Sequence, residues 1–313
     1  MPEAISVVIP TYNRASLLRE AIGSALAQTR PPDEIVVVDD GSTDETPQVI
    51  ASFAGRIRGF RQENGGEAAA RNRGVAEARG PWIAFLDSDD LWEPEALERL
   101  AAAAAALPAA GLVAMRARAL RLDGTRTGRI HGKKSRGPRF TTRSLLMGDA
   151  GGVLMPLVRR DLLLAAGGFD TALRSATDCD MWLRLSFSTT MIGIPDPLLL
   201  VRVHPENLSA DKTLNARMWI TLLHKLERER PEWVRRHRWA FRRALGKEHL
   251  RLGRESLAAW DGSPAGLAEA RAALARSLRT FPFFARTWIY LAWSRVAPGR
   301  YAAWRRLERG LKP

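Results

Sequence analysis

A single cysteine, Cys179, in a chain of 313 residues excludes an internal disulfide and any metal cluster built on several thiolates. No run reaches the roughly 18 apolar residues that a membrane-crossing helix needs. The opening stretch MPEAISVVIPTYNR has no basic segment followed by an apolar stretch and a small-residue cleavage site. No secretory signal is therefore expected, and the cytoplasm is the default location. Neither GxxxxGK[ST] nor a GxGxxG after the first apolar run occurs, which removes the Walker phosphate loop and the dinucleotide fingerprint. Zinc-finger spacing and RNA-binding aromatic motifs are missing as well, so nucleic acid is not an expected partner.

What is present suits a packed globular chain, 46% apolar and 26% charged. The net charge of +14 is concentrated at one end. Residues 211–313 hold 23 Lys and Arg against 9 Asp and Glu, whereas the first 210 residues balance at 25 each. A basic tail can face nucleic acid, anionic lipid or an acidic polymer, and charge alone does not choose among them.

The first hundred residues alternate between two hydrophobic periods. AISVVIP is a short β-branched run stopped by Pro10, and SLLREAIGSALAQT then spaces its apolar residues as a helix does. EIVVVDD is nearly continuous, as expected of a parallel strand covered on both faces. STDETPQVIASFA reads as a helix capped by Ser42 or Thr43, IRGFRQ as a short strand, and GGEAAARNRGVAEARG as a helix stopped by Gly80. WIAFLD is the next strand. The pattern is α/β, and its polar clusters fall at strand C-terminal ends, where open parallel sheets bind ligands.

Three carboxylates, Asp87, Asp89 and Asp90, follow that last strand within four positions. In an extended chain Asp87 and Asp89 share a side, and Asp90 is free to cap the helix in EPEALERLAAAAAAL. Carboxylates held this close repel one another unless a cation or donors compensate. Turn acids plus a helix cap would explain them; so would Mg²⁺ or Mn²⁺ bridging to a phosphate. Asp39 and Asp40 form a second acidic strand end, running into GST. ENGG before a helix, with Arg71 in its early turns, is a workable anion site.

SVVIPTYNR, IVVVDDGSTDET, NGGEAAARNRGVAEARGPWIAFLDSDD, GGFDTAL with TDCDMWLRL, and VRVHPENLS follow one another in order. Together they resemble the family-2 glycosyltransferases of the GT-A fold, over roughly residues 4–209. The resemblance implies a Rossmann-like mixed sheet flanked by helices. Its nucleotide-sugar half would span 1–105, its acceptor-side and catalytic half 106–209, and a basic, mostly helical region 210–313. It implies that Pro10, Thr11, Tyr12, Asn13 and Asp39 contact the base and ribose of a donor, a UDP-sugar ahead of others, with Asp40 close by. Arg71 would lie near the nucleotide or its phosphates. Asp87, Ser88 and Asp89 match the family's DxD, with Asp89 the direct ligand of Mg²⁺ or Mn²⁺ and Asp87 nearer the ribose or a metal-bound water. Asp178 matches the general base, but Thr177 stands where the family has a glutamate. Asp180 and Trp182 would organise the site. His204 would serve the metal and diphosphate region as ligand or donor, supported by Arg202 and Ser209.

The function so implied is an inverting, metal-dependent transfer of a sugar to a hydroxyl of a glycan or a lipid-linked envelope precursor. A noncatalytic binder of nucleotide sugars or anionic polymers is the alternative that Thr177 and the basic tail keep open. A sugar nucleotidyltransferase is disfavoured by the missing glycine-rich N-terminal loop. Segment 131–148, basic and poor in apolar pattern at its start, is expected to be a loop, either solvated surface or a clamp on a donor diphosphate or charged acceptor. Beyond residue 210 periodic Leu and Ala with Arg-rich faces predict helices. FFARTWIYLAWSRV is too short for a confident span, and packing on the chain or peripheral contact with the inner face of a membrane are both open to it.

Overall fold

The computed structural model describes residues 4–121, 123–131, 139–148, 154–203 and 211–303. The chain divides into two compact units, Met1–Pro205 and Glu206–Pro313.

The first unit opens with alternating elements: β1 (Ile5–Thr11), α1 (Ala15–Leu26), β2 (Glu34–Asp39), α2 (Thr46–Ser52), β3 (Arg58–Arg61), α3 (Glu67–Glu77) and β4 (Trp82–Phe85). β5 (Leu91–Trp92), α4 (Ala96–Ala106), β6 (Ala110–Leu120), β7 (Arg126–His131) and β8 (Arg139–Phe140) follow. α5 (Thr142–Met147), β9 (Leu154–Arg159), α6 (Arg160–Ala165), α7 (Thr177–Leu185) and β10 (Thr190–Arg202) complete it. The strands form one mixed sheet in the order β3-β2-β1-β4-β9-β6-β10-β5, with β7 beside β6 and β8 beside β10.

Every residue of β1 is buried, so the strand is covered on both faces, as its unbroken apolar run requires. α1 buries Leu18, Ala21, Ile22 and Ala25, one stripe at helical spacing. α3 lies directly against β1 because Gly74 has no side chain: a Cβ there would sit 2.3 Å from a Val8 methyl. β1 runs parallel to β2 and to β4, and β2 parallel to β3. Their C-terminal ends therefore share one sheet edge. β9 enters antiparallel between β4 and β6, which makes the sheet mixed.

Several local expectations are corrected. Neither Ser42 nor Thr43 caps α2, whose N-cap is Glu45 without a side-chain bond; the Asp44 carboxylate accepts the Thr46 N–H at 3.0 Å instead. α3 ends at Glu77, before Gly80. Gly80 is needed for closeness, since a Cβ there would lie 2.7 Å from Ser6 Oγ. The loop expected over 131–148 is corrected in its later part, while residues 132–138 lie outside the described residues. β8 and α5 occupy its later part, and Thr141 caps α5 by accepting the Ser144 N–H.

The second unit is helical: α8 (Lys212–Glu229), α9 (Pro231–Arg236), α10 (Arg238–Ala258), α11 (Pro264–Thr280) and α12 (Ala285–Val296). Asp211 and Ser263 cap α8 and α11 through their side chains. Among the described residues, buried apolar side chains of this unit cluster around Leu257, Ala258, Ala270 and Tyr301 and around Ala216, Leu252 and Ala273, with Leu222, Leu223, Phe241 and Leu274 buried as well.

Candidate active site

At the shared sheet edge Thr11 pairs with Asp39 across β1 and β2, and Val8 pairs with Phe85 across β1 and β4. The Pro10–Asn13 segment therefore lies beside Asp39, and the acidic cluster begins just past the end of β4. Asp39 is buried; its Oδ1 accepts the Ser42 N–H at 2.9 Å, and its Oδ2 lies 3.5 Å from Arg61 Nη1. Asn13 has φ +50°, a strained value for a residue with a side chain, and is held there from both sides. Its N–H donates to Ser42 Oγ at 2.9 Å, and its Oδ1 accepts the Thr43 N–H at 2.8 Å. The two turns are thus fastened to each other, with the Tyr12 side chain left exposed.

Asp40 is used differently. Its Oδ1 accepts from Gln62 Nε2 at 2.7 Å and from the Gly65 N–H at 3.0 Å, and its Oδ2 accepts the Gly66 N–H at 2.8 Å. The glycine pair before α3 does hold an anion, but the anion is the chain's own carboxylate. This corrects the reading of ENGG as an open anion site.

The acids after β4 do not alternate along an extended chain. The strand ends at Phe85, and a turn follows in which the Asp90 N–H donates to the Asp87 carbonyl at 3.1 Å. The turn brings oxygens of Asp87, Asp89 and Asp90 within 4.8 Å of one another, with Ser88 buried between them. Burial first, then the neighbouring carboxylates, hold Asp87 above the usual carboxylate range and Asp90 well above it. Asp90 does not cap α4, which begins at Ala96 with Glu95 as N-cap. Its Oδ1 instead accepts the Arg202 N–H at 3.0 Å. The Arg202 side chain pairs with Glu20, so the end of β10 is pinned twice. His204 and Ser209 lie outside the described residues.

Arg71 is almost fully buried and links three elements. Its Nη2 bonds Asp87 Oδ1 at 2.8 Å and Glu67 Oε1 at 2.6 Å, and its Nη1 lies 3.5 Å from Thr177 Oγ1. Its guanidinium also lies over the Phe169 ring at 5.6 Å. Glu67 is a site carboxylate that the sequence reading missed. Burial, and the like charges of Asp87, Asp178 and Asp89, push it up to about 7 against the pull of Arg71. A signal was available, because Glu67 and Arg71 stand four apart on a helix, the spacing at which opposite charges meet.

Asp178 sits in the first turn of α7, and its charge is felt at Glu67, Arg71 and Asp87. Its Oδ1 accepts the Cys179 N–H at 2.7 Å. The residue that starts α7, Ala176, has φ +59°, the second strained non-glycine at this edge. Asp180 is buried and pairs with Arg184, which also donates to the carbonyls of Ala166 and Gly168. Trp182 is buried against Phe85 and Phe169, with ring centroids 6.3 and 5.9 Å away. Asn72 holds the Phe169 backbone at both ends, accepting its N–H at 2.7 Å and donating to its carbonyl at 2.9 Å. These three rings therefore set β4, α7 and Arg71 relative to one another.

The acidic turn offers only hard oxygen donors, the set that Mg²⁺ and Mn²⁺ prefer, and crowded carboxylates with raised affinity for protons are sites that a cation relieves. The residues fit such an ion, with Asp89 and Asp87 the members not engaged in holding β10.

The mixed sheet flanked by helices, with a helical unit after it, matches the GT-A fold of solved structures. The sequence profile described as glycosyl transferase family 2 matches residues 6–155. An uncharacterized glycosyltransferase of Haemophilus influenzae is 31% identical over 216 residues, covering 67% of this chain and 72% of its own length. The chain belongs to glycosyltransferase family 2. Five further curated relatives are 44–49% identical, but over only 94–100 residues, so the chain spans between 16% and 31% of their length. Among solved structures, S. aureus TarS in complex with UDP-GlcNAc matches with a TM-score of 0.66 at 18% identity, over 98% of this chain and 92% of that one. The mannosyltransferase PcManGT from Pyrobaculum calidifontis, in complex with GDP-Man and Mn²⁺, matches with a TM-score of 0.56 at 23% identity, over 97% and 88%. At these identities both establish the fold.

Proposed function

We propose that this site transfers a sugar, with inversion at the anomeric carbon, from a nucleoside diphosphate donor to a hydroxyl of a glycan or a lipid-linked envelope precursor. The observation that carries the reading is the meeting, at one sheet edge, of Asp39, the Asp87–Asp89–Asp90 turn, and Asp178. A single displacement needs one base and a stabilised leaving group. Asp178 takes the acceptor hydroxyl proton as that oxygen bonds the anomeric carbon, and the bond from that carbon to the diphosphate oxygen breaks. Pro10 to Asn13 and Asp39 hold the base and ribose. Arg71 holds Asp87 in place, Ser88 stands beside the donor within the turn, and Asp89 with Asp87 binds Mg²⁺ or Mn²⁺. When bound, that ion supplies positive charge for the departing diphosphate. His204 keeps its proposed place in the metal and diphosphate region on the sequence match alone.

The fold likeness to structures solved with UDP-GlcNAc and with GDP-Man and Mn²⁺ supports a nucleoside diphosphate sugar, with a UDP-sugar the first to try. The proposed location is the cytoplasm, at the inner face of the membrane. Release of nucleoside diphosphate from a panel of nucleotide sugars, with Mg²⁺ or Mn²⁺ and then with chelator, tests the reading. Metal-stimulated release from one donor supports it; no release from any donor, with or without acceptor glycans or lipids, counts against it.

A further inference from the structure

α12 has its polarity inside out. It packs through Thr287, Leu291 and Ser294, two of which carry hydroxyls, while Trp288, Ile289, Trp293 and Val296 face outward. At about 100° per residue, Ala285, Trp288, Ile289, Ala292, Trp293 and Val296 fall within an arc of roughly 140°, and Arg286 and Arg295 lie just beyond its two edges. This is an amphipathic helix whose apolar side is the solvent side.

The face extends past the helix. Phe283 is 78% exposed, with its ring 5.3 Å from that of Phe281, and Trp239 on α10 lies 5.8 Å from Phe281 on another side. Trp288 Nε1 donates to the Pro282 carbonyl at 3.3 Å, which joins the turn to the helix. Six of the ten large apolar side chains exposed among the described residues belong to this one face. Single exposed apolar residues are ordinary; a contiguous group of this size marks a contact surface.

The charge around it identifies the contact. Among the described residues, 271–303 contain six arginines and no acid. Arg243 lies over the Trp239 ring at 5.9 Å. A two-fold contact with a second copy would bring these arginine rims against themselves. An anionic lipid surface complements them: tryptophans settle at the headgroup level, aliphatic side chains enter the acyl boundary, and arginines reach phosphates from the margins. A helix of 12 residues is about 18 Å long, short of the roughly 30 Å hydrocarbon core. No helix among the described residues is long and apolar enough to cross a membrane. The geometry fits lying on a bilayer.

We propose that α12, the Phe281–Phe284 turn and Trp239 form a docking face for an anionic lipid bilayer. The inference is independent of sugar transfer, because none of these residues belongs to the candidate active site. The test is sedimentation of the full chain with vesicles of phosphatidylcholine alone or mixed with phosphatidylglycerol, alongside light scattering without lipid. The chain is expected to pellet with the anionic vesicles only. Trp288→Ser with Trp293→Ser, exposed positions that leave the packing stripe intact, is expected to weaken binding about tenfold or more. Arg286→Gln with Arg295→Gln is expected to weaken it by about thirtyfold and flatten its salt dependence, since each surface arginine contributes about 1 kcal/mol. Three results overturn the proposal: no pelleting with anionic vesicles, pelleting unchanged in the tryptophan variant, or a dimer in solution that the tryptophan variant converts to monomer.

Discussion

The Asp90 carboxylate accepts the Arg202 backbone N–H at 3.0 Å, joining the turn after β4 to the last residue of β10. Asp90 is thereby separated in role from Asp87 and Asp89, although all three stand within four positions. Its Oδ1 is committed to holding the strand that leads to His204. Asp90→Asn keeps an acceptor oxygen there and is expected to fold with nearly unchanged stability. Asp90→Ala leaves a buried N–H without its acceptor and is expected to cost about 1–3 kcal/mol. Denaturant midpoints of the two variants check this; equal midpoints would show that the bond does not hold the strand.

Arg71 is balanced by Asp87 on one side and Glu67 on the other. Glu67→Gln preserves shape and removes the charge, so Arg71 is expected to shift its pairing and Asp87 to lose its position. The expected loss is about tenfold or more in kcat/KM, about 1.4 kcal/mol of transition-state stabilisation. Thr177 Oγ1 lies 3.5 Å from the same guanidinium, so Thr177→Glu in the Glu67→Gln background is expected to recover part of that loss. A fully active Glu67→Gln enzyme would remove Glu67 from the site.

Asp178→Asn should remove transfer while leaving donor binding largely intact, because the base acts on the acceptor oxygen. Steady-state turnover and a donor titration on the same variant separate the two. Transfer near the parent rate would require another base.

His249 on α10 is buried, and its Nδ1 has no hydrogen-bond partner among the described residues. Burial, then Arg276, His224 and Arg279, lower it to about 4 from an ordinary 6.5. Between these values the unfolded chain binds the proton and the folded chain does not. The stability contributed by the neutral imidazole is therefore full above 6.5 and is lost as pH falls toward 4. His249→Gln should show a smaller drop in unfolding midpoint than the parent chain between neutral pH and about pH 4.5. An equal drop would mean that other groups carry the acid sensitivity.

Much of the sheet edge was legible because strand and helix periods differ and because acids at strand ends interrupt apolar runs. β1, β2, β4 and the helices between them follow from that pattern. What local sequence did not show was which oxygen each polar group would find. Asp40 reads as standing close by the donor beside Asp39, yet it is spent on Gln62, Gly65 and Gly66, in the one loop between β3 and α3. Asp90 reads as a helix cap, yet its partner is Arg202, far along the sequence. Glu67 carried a local signal, the four-residue spacing to Arg71, but its importance depends on Asp87 and Thr177 arriving from other elements. The outward apolar arc of α12 was readable as an aromatic and arginine mixture; which side faces solvent required the packing of Thr287, Leu291 and Ser294.

The central claim is that Asp39 and the Asp87–Asp89 turn form one metal-assisted nucleotide site. Calorimetric titration of UDP, and then GDP, into the parent chain, Asp39→Asn and Asp89→Asn, each with Mn²⁺ and with chelator, tests it most directly. The parent chain should bind one of the two nucleotides with Mn²⁺ and bind it at least about tenfold more weakly, a loss of about 1.4 kcal/mol, with chelator. Asp39→Asn should weaken binding in both conditions, and Asp89→Asn should erase the difference that the metal makes. Binding of neither nucleotide, or equal binding by all three chains with and without metal, would contradict the claim.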